Sequence, residues 1–211
     1  MKPLSLQRER GLVLVNVWEI GAMSMFAPFP RIDDGTLVLR NFSDGDAGFI
    51  EEVSDDPLIT LIDPVLAQSK VQATSDGGQM QALIDLARSH YVAGVRYYFA
   101  IADAETDHAI GHIGLGLKDL QAGRASIGYW IAERKRGQGA AGHALRMLSA
   151  WAFTPPGIDR LELYVEPSNE ASWHTAERAG YQREGLLRRW WLAEDERRDV
   201  YLYSLLRSDP R

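Results

Sequence analysis

The segment RKRGQGAAGHAL, residues 134–145, places Gly137, Gly139 and Gly142 in the spacing G-x-G-x-x-G. Glycines at this spacing are typical of turns that let the backbone approach a phosphate group closely. Where such a turn opens into a helix, the first N–H groups have no partner within the helix, and the helix dipole favours a negative charge there. The segment therefore predicts an anion site, and its surroundings must identify the anion.

Strand and helix patterns precede the glycines. TLVLR, residues 36–40, is typical of a strand, and Ser43 or Asp44 can cap a helix that runs to about Val53. A second helix is predicted around residues 79–90. Three further strands follow, joined by short turns: RYYFAIA (96–102), AIGHIGLGLK (109–118) and ASIGYWIA (125–132). Short turns between consecutive strands indicate an antiparallel meander.

Apolar residues recur at helical spacing after the glycines, until TPPG at residues 154–157 ends the helix. The remaining elements are a strand, a helix closed by Gly180 and two strands, at residues 161–165, 168–180, 184–192 and 198–206. The predicted order is thus strand, two helices, three strands, helix, strand, helix and two strands.

This order argues against a dinucleotide-binding fold, although Glu162 or Glu166 could supply the acidic residue that such a fold places after its glycines. The glycines follow an antiparallel meander, and the chain finishes with a hairpin instead of further parallel units. A structural alternative stays open, in which the glycines only let a helix begin close to a strand.

Composition limits the classes of protein. With 211 residues, 45% of them hydrophobic, and no Pro/Gly/Ser-rich linker, the chain is long enough for one well-packed domain. A net charge of −6 gives no overall attraction to nucleic acid or to an anionic membrane, so neither is expected as a partner. The absence of cysteine excludes disulfides and thiolate nucleophiles, and the five histidines show no H-x-x-x-H spacing, so no metal is expected.

The N-terminal region allows several interpretations. LVLVNVW, residues 12–18, is similar to the core of a signal peptide, but Asn16 and Glu19 interrupt the apolar run. No stretch reaches the roughly 18 to 20 apolar residues of a membrane span, so a cytoplasmic protein is expected. We divide the chain into an extension, residues 1–34, and one domain, residues 35–211. The extension could be an extra strand, an arm that packs on a second subunit of a homodimer, or an artefact of the assigned start codon.

Three features in order carry a family resemblance. They are the loop pattern R/Q-x-x-G-x-G/A, matched by Arg136, Gly139 and Ala141; the run LELYVEPSNEASWHTAERAGYQREGLLR, residues 161–188; and the closing strand RRDVYLYSLL, residues 197–206. On these features, residues 36–206 resemble the GCN5-related N-acetyltransferase (GNAT) superfamily, in its branch of ribosomal-protein acetyltransferases acting on Ser or Ala termini. The resemblance implies an α/β (α+β) fold whose mixed, mostly antiparallel sheet has six to seven strands, with helices on both faces.

The resemblance also implies acetyl-CoA as co-substrate, with its pyrophosphate on the glycine loop and its pantetheine arm along the strand at residues 129–132. Ile131 would lie near the thioester, and Asn169 would form a hydrogen bond with the pantetheine. An Asn after Pro and Ser is equally a good helix N-cap, and one residue can do both. The implied cofactor-binding residues are Ile131, Arg136, Gly137, Gln138, Gly139, Ala140, Ala141 and Asn169.

Ser172 is the implied catalytic residue, because a Ser at the matching place in this branch is proposed to protonate the departing CoA thiolate. The alternative is an ordinary polar residue in the first turn of a helix. Many other members of the superfamily use a Tyr for this role, but Tyr181 belongs to the Gly-aromatic motif and is expected in the core.

No general base is identifiable from the sequence. Some members of the branch carry a Glu where alignment from Ser172 places Trp191. Glu133, His112 and Glu184 are candidates by residue type alone, and the motif around Glu184 favours a structural role. In a regular strand Trp190 and Trp191 would lie on opposite faces, so at most one could line a cleft.

The expected function is acetyl transfer from acetyl-CoA to a primary amine, most simply the α-amine of a protein or peptide N-terminus. Without cysteine no acyl-cysteine intermediate can form, so direct attack within a ternary complex is expected. Two alternatives remain open: acetylation of a small amine such as an antibiotic or a polyamine, and a non-catalytic acyl-CoA-binding module.

Overall fold

The computed structural model describes residues 29–54, 56, 78–193 and 195–210. The strands of the described chain are β1 (Ile32–Asp33), β2 (Leu37–Arg40), β3 (Arg96–Asp103), β4 (Ala109–Gly116), β5 (Arg124–Ile131), β6 (Arg160–Val165), β7 (Gln182–Ala193) and β8 (Glu196–Leu206). The α-helices are α1 (Ala47–Ser54), α2 (Gly78–Val92), α3 (Ala140–Ala152) and α4 (Glu170–Arg178). The predicted order of elements is confirmed. No helix within the described ranges is long and apolar enough to cross a membrane.

The strands form one sheet of eight, in the order β1-β2-β3-β4-β5-β6-β8-β7. The eighth strand is the two-residue β1, which pairs with β2 and lies within the predicted extension, so the sheet begins before residue 35. Residues 1–28 of that extension lie outside the described residues. The one parallel pair among the described strands is β5 and β6, which α3 connects, because parallel neighbours need a crossover.

Helices cover both faces of the sheet, as expected. On β3 the alternation of the strand sends Phe99 and Ile101 into a core beneath α3 and α4, and Tyr98 and Ala100 into a core beneath α1 and α2. All eight residues of β4 are buried, because both of its faces are covered. We call these two sides the α3/α4 face and the α1/α2 face.

The sheet opens between β5 and β6. Their pairing is confined to Arg124–Ser126 of β5 and Arg160–Glu162 of β6, although β5 continues to Ile131 and β6 to Val165. The opposite edge of β5 stays paired with β4 as far as Ile131. We call the space between residues 127–131 and 163–165 the β5–β6 wedge. Its β5 edge presents main-chain groups that have no strand partner among the described residues.

A buried ion pair joins the end of β2 to the turn before α1. Arg40 donates from Nη1 and Nη2 to the two carboxylate oxygens of Asp46, at 2.8 and 2.9 Å. The main-chain N–H of Ser43 donates to the same carboxylate at 2.9 Å, which completes a capping box. Burial alone would raise the pKa of the Asp46 carboxyl, but the hydrogen bonds from Arg40 and Ser43 hold it below its usual value.

Asp46→Ala is expected to lower the free energy of unfolding by about 3 kcal/mol, because it leaves the buried Arg40 guanidinium short of a partner. The pKa of Asp46 is lower in the folded state than in the unfolded state. The stability that the ionised carboxylate contributes is therefore complete above the ordinary carboxyl pKa, and it is lost as the pH falls through the folded-state pKa. Urea unfolding should therefore show the gap between wild type and variant closing below about pH 4. Asp44→Ala, an exposed neighbour in the same turn, should cost less than about 0.5 kcal/mol. Equal losses in the two variants would contradict this.

Candidate active site

The glycine turn lies between the end of β5 and the start of α3. Gly137 and Gly139 have φ angles of 75° and 84°, in the left-handed region that favours glycine. A Cβ added to either would meet no protein atom within 4 Å. The backbone conformation therefore favours glycine at both positions, and an added Cβ would point into open space.

The N–H groups of residues 137–141 donate no main-chain hydrogen bond to other described residues. Gly139 is the N-cap of α3 and offers no side chain to satisfy them. Several unengaged N–H groups therefore gather at the positive end of a helix, which is the arrangement that binds phosphate.

Two of the three basic residues of the turn, Arg134 and Arg136, are engaged by other groups of the protein. Arg136 donates from Nε to the carbonyl oxygen of Ile131 at 2.9 Å and from Nη2 to Asp56 at 2.5 Å. Arg134 pairs with Glu52 at 2.9 Å. Arg136 thus ties the turn to the end of β5, and an acidic partner balances its charge. The unengaged N–H groups of the turn therefore remain available to an anion.

The first turn of α4 lies beside the turn and the wedge. Asn169 caps α4, with its Oδ1 accepting from the main-chain N–H of Ser172 at 3.1 Å, so the predicted N-cap is confirmed. The amide Nδ2 of Asn169 remains as the donor that could reach a ligand. A Cβ on Gly142 would lie 3.6 Å from Thr175, so the third glycine of the motif packs against α4.

The structure adds the side chain of Tyr129 to this site. Tyr129 lies on β5 beyond the last residue paired with β6, and its hydroxyl is 3.1 Å from the carbonyl oxygen and 3.2 Å from Oγ of Ser172. The resemblance implied only that the pantetheine arm lies along the strand at residues 129–132, with no role for this side chain. Strand alternation could have identified it, because Tyr129 shares its face with the core residues Ile127 and Ile131.

The candidates for a general base occupy different environments. Both carboxylate oxygens of Glu184 accept from Arg160, at 2.6 and 2.5 Å, and Ser204 donates to one of them. These bonds lower the pKa of Glu184 to about 2, which makes it a weak base and fits the structural role. Glu133 is exposed in the turn after β5. The ring of His112 is buried on the α1/α2 face, and its Nδ1 donates to the carbonyl oxygen of Phe99 at 2.9 Å when the ring is neutral.

A bulge interrupts β7 just before Trp191. The register with β8 moves from Leu187↔Val200 to Trp191↔Arg198, so three residues of β7 face one residue of β8. Trp190 is 57% exposed and lies parallel to the ring of Tyr164 on β6, 6.1 Å away. Trp190 therefore lies within the bulge, where regular strand alternation does not apply.

Fold and site together define an α/β protein in which a groove between two diverging strands leads to a helix N-terminus with unengaged N–H groups. Residues 36–182 match the family model of the acetyltransferase (GNAT) domain. The chain belongs to the GNAT acetyltransferase family, and it is an N-acetyltransferase that uses acetyl-CoA.

Individual relatives agree with this assignment. The uncharacterized N-acetyltransferase p20 of Bacillus licheniformis is 31% identical over 173 residues, which are 82% of this chain and 94% of p20. A Vibrio cholerae structure described provisionally as a ribosomal-protein-serine acetyltransferase superposes with a TM-score of 0.65 at 25% identity, covering 86% of this chain and 99% of that one. The spermidine N-acetyltransferase of Vibrio cholerae, solved with CoA and spermine, shares the fold with a TM-score of 0.65 at 22% identity, covering 83% and 98%.

Proposed function

We propose that this enzyme transfers the acetyl group of acetyl-CoA to the α-amine of a protein or peptide N-terminus. The observation that carries the choice of acceptor is the state of the two carboxylates that the sequence offers as general bases, Glu184 and Glu133. Among the described residues, Glu184 is held by Arg160 with a pKa of about 2, and Glu133 is exposed. A site without a strong carboxylate base favours an amine that is already neutral near pH 7.5.

The residues of the groove fit acetyl-CoA. Its pyrophosphate would bind to the N–H groups of residues 137–141, where the positive φ angles and the unengaged donors suit an anion. The free edge of β5, residues 127–131, and Nδ2 of Asn169 would hold the pantetheine arm by hydrogen bonds, with Ile131 nearest the thioester. When bound, acetyl-CoA supplies an activated acetyl group.

Composition supports transfer by direct attack. The chain has no cysteine, so no acyl-cysteine can form, and we infer that both substrates are bound together. The protein's contribution is then to hold the amine against the thioester and to protonate the departing sulfur. Ser172, in the first turn of α4 and within hydrogen-bond reach of Tyr129, is the residue we assign to that protonation.

The acceptor proposal is tested with two matched peptides, one with a free N-terminus and no lysine, the other with a blocked N-terminus and one lysine. At pH 7.5 about a quarter of α-amines are neutral, against about a thousandth of lysine side chains. Release of free CoA thiol should therefore be much faster with the first peptide. A blocked peptide without lysine measures the background hydrolysis, and turnover mainly of the lysine peptide would contradict the proposal.

A small-amine acceptor is the second candidate, because the spermidine N-acetyltransferase shares the fold. The net charge of −6 would also attract a polycation. Spermidine in the same thiol-release assay separates the two. Acetyl-CoA binding without release of thiol to any amine would identify a non-catalytic binding module instead.

A further inference from the structure

The hydroxyl of Tyr129 bridges the β5–β6 wedge to α4. It comes from the part of β5 that has separated from β6, and it reaches the first turn of the helix that follows β6. Its distances to the carbonyl oxygen and to Oγ of Ser172 are 3.1 and 3.2 Å, so one small rotation of the O–H bond moves the proton between the two acceptors. The phenol hydroxyl of Tyr129, which is more acidic than that of serine, therefore lies within hydrogen-bond distance of the Ser172 hydroxyl.

A serine hydroxyl is a poor acid by itself. An efficient general acid has a pKa near the working pH, and an aliphatic hydroxyl does not ionise in the range of ordinary side chains. A thiol has a pKa of about 8.5 and a phenol of about 10, so a phenol can protonate a thiolate at moderate cost, whereas a lone serine would be left as an alkoxide. A serine that gives up a proton thus needs to receive one in the same step.

We propose that Tyr129 supplies the proton that Ser172 delivers to the departing thiolate, so that Ser172 works as a relay. As the carbon–sulfur bond breaks, its electron pair stays on sulfur, sulfur takes the proton of Ser172 Oγ, and Oγ takes the proton of Tyr129 Oη. The attacking amine loses its extra proton to water, and the Tyr129 phenolate regains one from water, so no proton is consumed overall. Tyr129 acts through Ser172 and is a positioning residue that also supplies a proton.

The surroundings of Tyr129 keep this proton available. Burial raises the pKa of the Tyr129 phenol above that of a free tyrosine, although hydrogen bonds with Ser172 and Thr175 offset part of this shift. The phenol is therefore protonated at neutral pH in every resting molecule. The ring packs against the core on the α3/α4 face, which fixes the position of the hydroxyl.

The protein contains a matched control. Tyr181 and Ser149 form another hydroxyl pair between a tyrosine and a helical serine, at 2.8 Å, and both residues are buried. Tyr181→Phe removes a phenol hydroxyl from the same core without touching Ser172. A loss caused only by weakened packing or by one missing hydrogen bond should be similar in Tyr129→Phe and Tyr181→Phe.

The first measurement needs no acceptor and no turnover. The pKa of the thiol of CoA bound to the enzyme is read from thiolate absorbance during a pH titration. Because the hydroxyl chain stabilises the thiolate, Tyr129→Phe and Ser172→Ala should each raise this pKa by about half a unit or more, whereas Tyr181→Phe should leave it unchanged. An unchanged thiol pKa in Tyr129→Phe overturns the proposal.

The second measurement follows turnover with whichever amine the enzyme acetylates. Tyr129→Phe should lower kcat by about 10-fold or more, with the acetyl-CoA dissociation constant changed by less than about threefold. The double variant Tyr129→Phe/Ser172→Ala should be no slower than Ser172→Ala, because either change breaks the relay. A proton inventory in mixed H₂O and D₂O should be curved for wild type, with two protons in flight, and linear for Tyr129→Phe. The proposal is overturned if the losses of kcat in Tyr129→Phe and Ser172→Ala add in the double variant, or if Tyr181→Phe loses as much kcat as Tyr129→Phe.

This inference rests on the proposed acetyl transfer and on the role assigned to Ser172, but not on the identity of the acceptor. A failure of the α-amine proposal changes only the amine used in the turnover assay. A failure of the relay leaves the acceptor preference intact and appears as an unchanged thiol pKa.

Discussion

Gly139→Glu is expected to abolish acetyl-CoA binding in a protein that still folds, with the dissociation constant raised by at least about 100-fold. Two unit charges about 4 Å apart repel by about 4 kcal/mol near a protein surface, and the new carboxylate would stand among the N–H groups that we assign to the pyrophosphate. The space around the glycine is open, and an added Cβ meets no protein atom within 4 Å. The φ of 84° costs a non-glycine residue about 1–2 kcal/mol, which a folded domain tolerates.

Calorimetric titration with acetyl-CoA measures this result, and Gly157→Glu provides the control. Gly157 also has a positive φ, 113°, and open space around its Cβ position, but it follows the C-terminal end of α3. The Gly157→Glu variant should bind acetyl-CoA with an affinity close to that of wild type. Unchanged affinity in a folded Gly139→Glu variant would remove the loop from the cofactor site and would favour a purely structural role for the glycines.

Ser172→Ala is expected to lower kcat by about 10²-fold or more and to change the acetyl-CoA dissociation constant by less than about threefold. The hydroxyl matters as the carbon–sulfur bond breaks, whereas most of the affinity for the ground-state cofactor comes from other contacts. The variant keeps the main-chain N–H of residue 172, which donates a hydrogen bond to Oδ1 of Asn169, so the cap of α4 remains. Single-turnover kinetics establishes that the chemical step is the one measured.

Ser168→Ala makes the same chemical change at an exposed residue just before α4 and should leave kcat within about twofold of wild type. Asn169→Ala should instead act mainly on binding. It should weaken the affinity for acetyl-CoA by the roughly 0.5 to 1.5 kcal/mol of one neutral hydrogen bond. A wild-type kcat in Ser172→Ala, with chemistry rate-limiting, would mean that water or another residue supplies the proton.

The order of elements could be predicted because each has a strong local pattern. The meander from residue 96 to residue 132 is marked by short turns, and the ends of α3 and α4 are marked by TPPG and by Gly180, whose φ is 93°. The short β1 was left open as one of several interpretations, because two residues carry no periodicity and are fixed only by pairing with β2.

The site was predictable where main-chain chemistry dominates. Left-handed glycines and an N-cap follow from residue type and position, so the turn and Asn169 could be located from the sequence. Contacts between residues that are distant in the sequence could not be predicted from it. The ion pair of Arg136 with Asp56 joins residues 80 positions apart, and the contact of Tyr129 with Ser172 spans 43 positions. The bulge before Trp191 depends on register with β8, which no local pattern encodes.

The most direct test of the account uses one peptide that carries both a free α-amine and an internal lysine, incubated with acetyl-CoA and the enzyme. Tandem mass spectrometry then locates the acetyl group. Because the two amines compete in the same molecule, peptide affinity cancels and only the choice of amine is measured. We expect acetylation of the N-terminal α-amine, with the lysine unmodified. Acetyl on the lysine side chain, or an untouched peptide while spermidine is acetylated, would contradict it.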